Sequence, residues 1–568
     1  MSRPNSVPFS PAGRTAALAE MASSRLDLLV IGGGITGAGL ARDAALRGLR
    51  VGLVEARDFG CGTSSRSTKI IHGGIRYLQY LHLGLVRESA RERWVLRRIA
   101  PHLIHPLRFV YPLYPGMPTL KYRFGFWLFD QLAGASGDEA HRMLSVDDTR
   151  RLVPGLRDEL RGAGLYPEFV TDDARLTLEN ALSAALNGAL VANHAEVADL
   201  LVYGGRVRGA RVRDTLADHA FEVEATVIVN ATGVWSERTL ALAGAEAPSH
   251  ILPSKGIHLL FRHDRFPLES ASHVRASSGR EGLAIRRGEF VYVGTSDIEY
   301  RGSYERPLAD EAAIADVLAM TRDCFRGLEL TRDDVIGTWA GIRPLIAEPG
   351  KSTRETSRKD EVWETPDGLI TVAGGKLTTY RAMAHRVMDR VVQRLDVEPG
   401  PDRSADVPLP GADAGAEDPG DIADAAVSAL RDRGVADAAL RRIAWVYGAR
   451  ARRLLDYGEQ DPAWLDPIAP GTPALRAEVR LAIDEEMALD LEDVLDRRLS
   501  LLLFSEDHGL AAAEPAARIL ADRLGWTDAR RHHEVTGYRE LARGHSGGQG
   551  SGGSEAPAAE GRHPNYGT

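Results

Sequence analysis

The stretch LDLLVIGGGITG, residues 26–37, decides the fold of this chain. Its first six residues have the apolar composition of a buried parallel strand, and residues 35–47 have the pattern of a helix. The loop between them matches G-x-G-x-x-G, in which Gly32 permits a tight turn, Gly34 lets the backbone approach a pyrophosphate and Gly37 lets helix and strand pack closely. The stretch therefore predicts a Rossmann-type dinucleotide-binding unit with the phosphates at the helix N-terminus.

A second predicted strand, residues 50–54, is followed at once by the acidic residue Glu55. A carboxylate at this place accepts hydrogen bonds from the adenosine ribose hydroxyls and repels a 2′-phosphate, which disfavours NADP. Strand, glycines, helix, second strand and acid follow one another in the order that the motif requires. The alternative interpretation is a glycine-rich turn in an α/β fold that binds no cofactor.

Three later segments favour FAD over NAD as the cofactor. Residues 63–78 are dense in small hydroxyl side chains and glycines, which supply donors along an extended phosphate and ring system. In 227–235 an apolar strand ends in small residues, which let the backbone come close to a ligand. In 369–381 another strand is followed by glycines and then by a helix, and the positive N-terminal end of that helix stabilises the negative charge of a reduced flavin. The predicted cofactor-binding residues are Gly32, Gly33, Gly34, Thr36, Gly37, Glu55, Thr63, Ser64, Ser65, Ser67, Lys69, His72, Gly73, Val197, Gly233, Trp235, Gly375, Lys376, Leu377 and Thr378.

The chain divides into five parts by composition and periodicity. Residues 1–25 are rich in Ser, Pro and Ala and predict a disordered leader, and 26–398 alternate apolar runs with helical patterns, as α/β proteins do. A Pro-rich, acidic stretch, 399–420, predicts a linker. Residues 421–543 predict a helical C-terminal domain, and the Gly- and Ser-rich end, 544–568, predicts a disordered tail. The cofactor segments are 26–78, 227–235 and 369–381.

Bulk composition excludes several classes of protein. The formal net charge of the 568 residues is -9, so nothing indicates the basic surface of a nucleic-acid-binding protein. The two cysteines, Cys61 and Cys324, form no disulfide framework, which favours a reducing cytoplasm. The start of the chain lacks the apolar core of a secretory signal, and no apolar run of about 18 residues predicts a transmembrane helix. No spacing of residues predicts a metal site.

Over residues 27–538 the chain resembles the FAD-dependent glycerol-3-phosphate dehydrogenases of the D-amino-acid-oxidase-like superfamily. The motifs that carry the resemblance are the first glycine loop, Thr-Ser-Ser-x-Ser-x-Lys at 63–69, Ile-His-Gly-Gly-Ile-Arg-Tyr-Leu at 71–78, Asn-Ala-Thr-Gly at 230–233, Lys-Gly-x-His at 255–258, Gly-Thr-Ser-Asp at 294–297, Gly-Ile-Arg-Pro-Leu at 341–345, Gly-Gly-Lys-Leu-Thr-Thr-Tyr-Arg at 374–381 and the stretch 484–498. The resemblance implies an α/β chain, α+β overall, in which the FAD domain is interleaved with an antiparallel-sheet substrate domain and followed by helices. It also implies oxidation of sn-glycerol 3-phosphate to dihydroxyacetone phosphate by hydride transfer to FAD.

The resemblance implies that Arg76, Arg343 and Lys376 contact substrate and its phosphate, and it counts all three among the catalytic residues. The chemistry agrees, because arginine offers a phosphate two parallel donors and lysine a compact charge. Tyr77 lies in the same motif as Arg76 and adds a hydroxyl to the predicted substrate site. His258 is the predicted substrate-binding general base, since imidazole titrates near working pH. An arginine that polarises the alcohol oxygen and the residue His72 are the alternatives.

One departure from the family concerns the wall of the pocket. Many members carry a Pro-Trp pair near the position of Ile285-Arg286, so the fine shape of this wall and the substrate selectivity stay open. Three alternative functions also stay open. One is a flavin oxidase for an amine or 2-hydroxy acid, one is an oxygen-using glycerol-3-phosphate oxidase, and the third is a flavin-binding sensor without catalysis.

The resemblance further implies that electrons pass to a quinone and that the enzyme is peripheral on the inner face of the cell membrane. Residues 120–129, LKYRFGFWLF, mix aromatic and basic side chains, which suit the lipid headgroup boundary. A buried helix with two exposed charges is the alternative interpretation of this segment. The arginines of 441–453 and 497–498 predict either a basic face or an ordinary solvated surface. A homodimer is a further expectation.

Overall fold

The computed structural model describes residues 7–75, 83–135, 137–244, 251–347, 360–412 and 419–546. Two predicted substrate residues, Arg76 and Tyr77, lie outside the described residues, as does most of the predicted tail. The strands are β1 (Leu26–Ile31), β2 (Val51–Val54), β3 (Ile70–Ile71), β4 (His105–Pro112), β5 (Arg142–Leu144), β6 (Ala163–Val170), β7 (Leu190–Ala192), β8 (Ala195–Tyr203), β9 (Arg206–Asp214), β10 (His219–Asn230), β11 (Ile251–Arg262), β12 (Ala271–Arg275), β13 (Glu281–Arg287), β14 (Phe290–Gly294), β15 (Ile298–Glu299), β16 (Gly337–Ile346), β17 (Asp360–Glu364) and β18 (Ile370–Gly374).

The α-helices follow the same order along the chain. They are α1 (Pro11–Ser23), α2 (Ile35–Leu46), α3 (Leu83–Ile99), α4 (Thr119–Ala133), α5 (Val146–Leu152), α6 (Asp173–Leu186), α7 (Ser236–Ala241), α8 (Glu311–Cys324), α9 (Tyr380–Val392), α10 (Pro419–Asp432), α11 (Asp437–Tyr447), α12 (Arg452–Gln460), α13 (Arg476–Glu486), α14 (Leu501–Phe504), α15 (Leu510–Leu524) and α16 (Asp528–His545). A single π-helical turn, Asp493–Arg498, precedes α14.

The predicted glycine loop belongs to an eight-stranded, mainly parallel sheet. Its central order is β17-β18-β10-β1-β2-β7, and Val30 of β1 lies beside Val229 of β10 and Leu53 of β2. These strands are apolar on both faces because α2, α6 and α9 cover one face and α1 and the β8–β9 hairpin cover the other. The Rossmann prediction is confirmed by this sheet, and the loop after β1 opens at its carboxyl edge.

The substrate half of the molecule is a ten-stranded sheet. Its order is β15-β11-β14-β13-β12-β4-β6-β3, with β16 paired to β11 and β5 to β6. Within the part of the chain that the structure describes, β4–β12 is the one parallel pair of this sheet. The longest pairing joins β11 and β16 over ten residues, from Ile251 opposite Ile346 to Leu260 opposite Gly337. The predicted fold class, α/β with an antiparallel substrate sheet, is confirmed. Between β1 and β18 the chain enters and leaves this sheet, so the two domains are interleaved.

The prediction of a disordered leader is wrong for residues 11–23, which form α1. Ser10 caps the helix and Pro11 occupies its first turn, where the missing N–H is not needed. Met21 is buried against the sheet, and the guanidinium of Arg14 pairs with Asp214 at 2.7 Å. The Ser, Pro and Ala content resembles that of a flexible segment, whereas the fold depends on capping and on contacts with distant residues.

The predicted linker, 399–420, is also partly packed. The N–H of Gly400 donates to the carbonyl of Arg47, and the side chain of Leu409 is fully buried. The helices α10–α16 form the predicted C-terminal domain and continue to His545. Its arginines do not make one basic face, because Arg450 pairs with Glu486 and Arg498 pairs with Asp58 inside the protein.

Candidate cofactor and substrate cavity

The predicted cofactor segments meet around one cavity of about 1190 Å³. This is more than the roughly 300–1,000 Å³ of a pocket for a single small ligand, so it has room for a dinucleotide and a substrate. The predicted residues on its wall are Gly32, Gly34, Thr36, Glu55, Thr63, Ser64, Ser67, Lys69, His72, Val197, Gly233, Trp235, His258, Arg343, Gly375, Lys376, Leu377 and Thr378. Four predicted residues, Gly33, Gly37, Ser65 and Gly73, lie behind this wall and are not part of it.

The glycine loop is shaped for close approach of backbone groups. Gly32 has φ +105°, and a Cβ atom there would lie 2.8 Å from the carbonyl oxygen of Ala231. A Cβ atom on Gly37 would lie 1.9 Å from the carbonyl oxygen of Gly32, so only glycine lets α2 start here. A Cβ atom on Gly34 would meet only the hydroxyl oxygen of Ser64, at 3.3 Å, so this side of the loop is open to the cavity. The loop thus fits the pyrophosphate of a dinucleotide.

Glu55 occupies the predicted place at the end of β2. One carboxylate oxygen accepts from the N–H of Gly33 at 2.7 Å, and the other accepts from the N–H of Arg57 at 2.9 Å. The first oxygen keeps a further lone pair for a ribose hydroxyl, whereas the second also accepts from the thiol of Cys61 at 3.7 Å, and these bonds fix the carboxylate at the cavity wall. At the start of α2 the hydroxyl of Ser64 accepts from the N–H of Ile35, and Thr36, the next residue of the first turn, lines the cavity.

The hydroxyl-rich loop at 63–69 is held mainly by protein contacts. Thr63 donates to the carbonyl of Ile342 at 2.6 Å, and Ser67 donates to Asp173 at 2.7 Å. The ammonium of Lys69 is buried in an ion pair with the same Asp173. These bonds tie the loop to β16 and to α6. Most of its side chains therefore hold the loop in place at the cavity wall.

His258 lies deep in the wall, in the middle of β11. Its Nε2 atom is 3.0 Å from the hydroxyl oxygen of Thr68. Burial lowers the pKa of His258 well below its ordinary value, and the charges of Arg343 and Lys69 lower it further. Among the described residues none is hydrogen-bonded to its Nδ1 atom. The imidazole is consequently neutral at physiological pH and able to accept a proton.

Arg343 projects from β16 into the same part of the cavity. One terminal nitrogen donates to the hydroxyl of Thr295 at 2.6 Å, and the other donates to the carbonyl of Ser296 at 3.1 Å. Gly256, on the adjacent strand, makes room for it, because a Cβ atom there would lie 2.3 Å from the guanidinium. These contacts hold Arg343 in one orientation and place its positive charge at the wall of the cavity.

Lys376 reaches the cavity from the other sheet. It follows β18 and Gly375, whose φ of +80° turns the chain toward α9. In the next turn the hydroxyl of Thr378 accepts from the N–H of His72 at 3.1 Å, which joins two of the predicted cofactor segments. The structure therefore brings His258, Arg343 and Lys376 to one cavity.

Two groups of cavity residues carry no local sequence signal. One is an aromatic wall formed by Phe109, Tyr111, Tyr166 and His273, which come from β4, β6 and β12. The other belongs to the C-terminal domain and consists of Asp490, Glu492, Asp493 and Arg497. The second group lies inside the 484–498 stretch that carries the resemblance, but no role follows from its sequence.

The segment from the C-terminal domain is fixed by buried ion pairs. Arg497 and Arg498 both donate to Asp58, which follows β2, at 2.6 and 2.7 Å. The imidazole of His194 is 3.2 Å from a carboxylate oxygen of Asp493. All of these side chains are buried or nearly so. The C-terminal domain thus completes the cavity wall next to Glu55.

Comparison with known proteins identifies the family. Residues 27–390 match the family of FAD dependent oxidoreductases, and residues 403–531 match the family described as the C-terminal domain of alpha-glycerophosphate oxidase. The aerobic glycerol-3-phosphate dehydrogenase of Bacillus subtilis is 35% identical over 94% of this chain and 97% of its own length. The chain belongs to the FAD-dependent glycerol-3-phosphate dehydrogenases. Glycerol-3-phosphate dehydrogenase 2 of Mycobacterium tuberculosis is 37% identical over 93% of this chain and 90% of its own.

Comparison of the fold with solved structures leads to the same family. The glycerol-3-phosphate dehydrogenase of Bacillus halodurans, complexed with FAD, superposes with a TM-score of 0.79 and 32% identity over 94% of this chain and 98% of its own. The α-glycerophosphate oxidase of Mycoplasma pneumoniae shares the fold, with a TM-score of 0.55 over 68% of this chain and 99% of its own. The predictions of FAD as cofactor and of a glycerol-3-phosphate dehydrogenase are confirmed. The sensor without catalysis and the amine or 2-hydroxy acid oxidase are set aside.

Proposed function

We propose that this glycerol-3-phosphate dehydrogenase binds its substrate between Arg343, Lys376 and His258 and passes the electrons to a membrane quinone. The observation that carries the substrate part is the juxtaposition of Arg343 and His258. They project from the paired strands β16 and β11 into the cavity that also contains the dinucleotide loop. Cations beside a neutral imidazole suit an anionic alcohol whose hydroxyl must lose a proton.

Arg343 and Lys376 bind the phosphate of glycerol 3-phosphate. Arg76, outside the described residues, remains a predicted third cation and Tyr77 a predicted hydroxyl donor. The bound FAD supplies the acceptor for the hydride from the carbinol carbon. The residues of the chain orient that carbon, keep water away and take the hydroxyl proton, with the result that sn-glycerol 3-phosphate becomes dihydroxyacetone phosphate.

His258 takes the alcohol proton. In the free enzyme burial, and after it the charges of Arg343 and Lys69, disfavour the imidazolium form. The phosphate dianion offsets these positive charges when it binds, so that the imidazolium becomes less costly in the complex than in the free enzyme. The substrate therefore activates its own base, which ties deprotonation to the presence of the phosphate. His72, which lies in a segment predicted to bind the cofactor, stays the alternative base.

The membrane contact proposed for residues 120–129 is supported by α4. Leu120, Phe124 and Trp127 recur on one face of this helix and are 80%, 59% and 49% exposed. Lys121 and Arg123 are exposed beside them, and the segment holds no acidic residue before Asp130. Exposed aromatic and basic side chains on one helix match an interfacial segment on an anionic lipid surface. Across the described residues, no helix combines the length and hydropathy needed to span a bilayer.

The inner face of the cell membrane as location, the quinone as acceptor and a homodimer are parts of the same proposal. The experiment is an anaerobic incubation of the FAD-loaded enzyme with glycerol 3-phosphate and a long-chain quinone in phosphatidylglycerol vesicles. We expect dihydroxyacetone phosphate and quinol in equal amounts. Dihydroxyacetone phosphate that forms only with oxygen, together with peroxide, would replace the quinone by oxygen, and absence of the product would overturn the substrate assignment.

A further inference from the structure

The exposed apolar face of α4 lies directly above the aromatic wall of the cavity. Phe124 and Trp127 face outward with ring centroids 5.5 Å apart. On the opposite face of the same helix, Phe126 and Phe129 are buried in the core. A helix with apolar residues on both faces is typical of one that has an apolar neighbour on each side.

A short series of aromatic rings connects α4 with the cavity. Tyr122, half-buried on α4, lies 5.5 Å from Tyr111 of β4, measured between ring centroids. Tyr111 in turn lies 4.6 Å from the imidazole of His273. Both Tyr111 and His273 are part of the cavity wall. Only two layers of rings therefore separate the outer face of α4 from the inside of the cavity.

The inner layer also carries hydrogen-bonding groups. The hydroxyl of Tyr166 is 2.6 Å from the Nε2 atom of His273, and Arg275 donates to the hydroxyl of Tyr111 at 3.4 Å. The wall thus combines flat apolar surface with hydroxyl and imidazole groups. A phosphate ester needs cations instead, and the proposed function assigns that role to Arg343 and Lys376. This division indicates that the cavity receives two different ligands besides the dinucleotide.

We infer that Tyr111, Tyr166 and His273 form the binding site for the headgroup of the quinone, which enters from the lipid beneath α4. The inference rests on the proposed function, in which quinone is the acceptor. A quinone ring is planar and apolar, so it stacks on aromatic side chains, and its two carbonyl oxygens accept hydrogen bonds from hydroxyl and imidazole groups. Its chain is lipid-soluble and suits the exposed face of α4.

The electron and proton balance closes with the groups already named. Oxidation of glycerol 3-phosphate to the ketone releases two electrons and two protons, and reduction of a quinone to the quinol consumes two electrons and two protons. Each quinone C=O becomes C–OH. Of the two donors in the hydrogen-bonded Tyr166–His273 pair, one is used within the pair and the other is left for a quinone oxygen at the place where it gains its proton. No further oxidant or reductant is needed.

The test compares the two half-reactions in the FAD-loaded, full-length enzyme. In Tyr166→Phe and His273→Gln, we expect the KM for a long-chain quinone in phosphatidylglycerol vesicles to rise about tenfold, the effect of a lost hydrogen bond worth roughly 1.4 kcal/mol. The rate at which glycerol 3-phosphate reduces the flavin changes less than twofold. Tyr203→Phe is the matched control, since Tyr203 is exposed on β8 away from the cavity.

A second pair of variants tests the entry from lipid. Leu120→Ser with Phe124→Ser lowers turnover with vesicle-borne quinone and leaves turnover with a water-soluble dye acceptor unchanged. Leu216→Ser with Tyr203→Ser, which removes exposed apolar side chains elsewhere, changes neither. An unchanged quinone KM in both Tyr166→Phe and His273→Gln, or equal losses with dye and quinone, would overturn the inference. A flavin that glycerol 3-phosphate fails to reduce would instead contradict the proposed function itself.

Discussion

The imidazole of His258 lies flat against the indole ring of Trp339, with ring centroids 4.6 Å apart and planes 12° from parallel. On its other side a Cβ atom at Gly294 would lie 2.2 Å from the imidazole. The three residues belong to the adjacent strands β16, β11 and β14, so the antiparallel pairing itself fixes the ring. A base held in one orientation costs no reorganisation during the reaction.

Replacement of His258 tests its role as the base. In His258→Gln we expect the rate of flavin reduction by glycerol 3-phosphate to fall about 100-fold or more, because a positioned base contributes roughly 10²–10⁴-fold. The FAD content stays unchanged, since the residue lies on the substrate side. Anaerobic stopped-flow absorbance measures the rate. A loss of less than tenfold would shift the role to His72 or to a polarising arginine.

The pH profile gives the same prediction an independent readout. Burial, then Arg343 and Lys69, hold the pKa of His258 well below its ordinary value of 6.5 in the free enzyme. The neutral form therefore persists as pH falls through 6.5, and the acid limb of kcat/KM for the wild type lies below that pH. The phosphate of the substrate has its own titration near pH 6, and its effect on kcat/KM is the same in the wild type and in His258→Gln. A wild-type limb above pH 6.5 would contradict the account.

The glycine loop predicts different outcomes at two neighbouring positions. Gly34→Ala places its methyl group in the open side of the loop, where φ is -71°, so the protein folds and its FAD dissociation constant rises about tenfold or more. Gly37→Ala drives a methyl group into the carbonyl of Gly32, and we expect little folded protein. Equilibrium dialysis of FAD and circular dichroism separate the two cases. Normal FAD affinity in Gly34→Ala would place the pyrophosphate elsewhere.

The carboxylate of Asp58 joins the C-terminal domain to the FAD domain. Asp58→Asn leaves the buried guanidinium groups of Arg497 and Arg498 without their shared charge, which costs about 3–5 kcal/mol in comparable buried pairs. We expect a lower thermal midpoint and faster loss of FAD, because the same segment lines the cavity. Asp264→Asn, which breaks an exposed pair with Arg262, is the control, and we expect its thermal midpoint to stay close to that of the wild type. Equal midpoints for both variants would contradict this role.

A second contact of the same C-terminal segment, between His194 and Asp493, makes its attachment dependent on pH. Burial lowers the pKa of His194, but the carboxylates of Asp493 and Asp490 outweigh it and raise the pKa from 6.5 to about 9. A raised pKa in the folded state stabilises fully below pH 6.5, and this stabilisation is lost as pH rises through 9. The thermal midpoint of the wild type therefore falls between pH 6.5 and 9. In His194→Gln this fall is flatter, and an identical slope in both proteins would refute the assignment.

The FAD-binding half could be predicted well from the sequence because its sequence patterns span only short stretches of the chain. Strand, glycines, helix and acid lie within 26–55, and each has a backbone reason that needs no distant residue. The leader helix α1 escaped prediction because its stability comes from partners such as Asp214, about two hundred residues away. The aromatic wall escaped for the same reason, since the pairing of β4 with β6 and β12 assembles it. The ion pairs of Asp58 join residues over 400 positions apart.

The substrate account is tested most directly by anaerobic mixing of the FAD-loaded enzyme with glycerol 3-phosphate and, separately, with glycerol, while the oxidised-flavin absorbance is followed. We expect rapid bleaching by glycerol 3-phosphate alone. In Arg343→Gln the substrate concentration for half-maximal rate rises about 10- to 100-fold, as for a lost charged hydrogen bond worth roughly 1.5–3 kcal/mol. Arg301→Gln, an exposed arginine, is the control. Equal bleaching by glycerol, or an unchanged half-maximal concentration in Arg343→Gln, would contradict a phosphate site at Arg343.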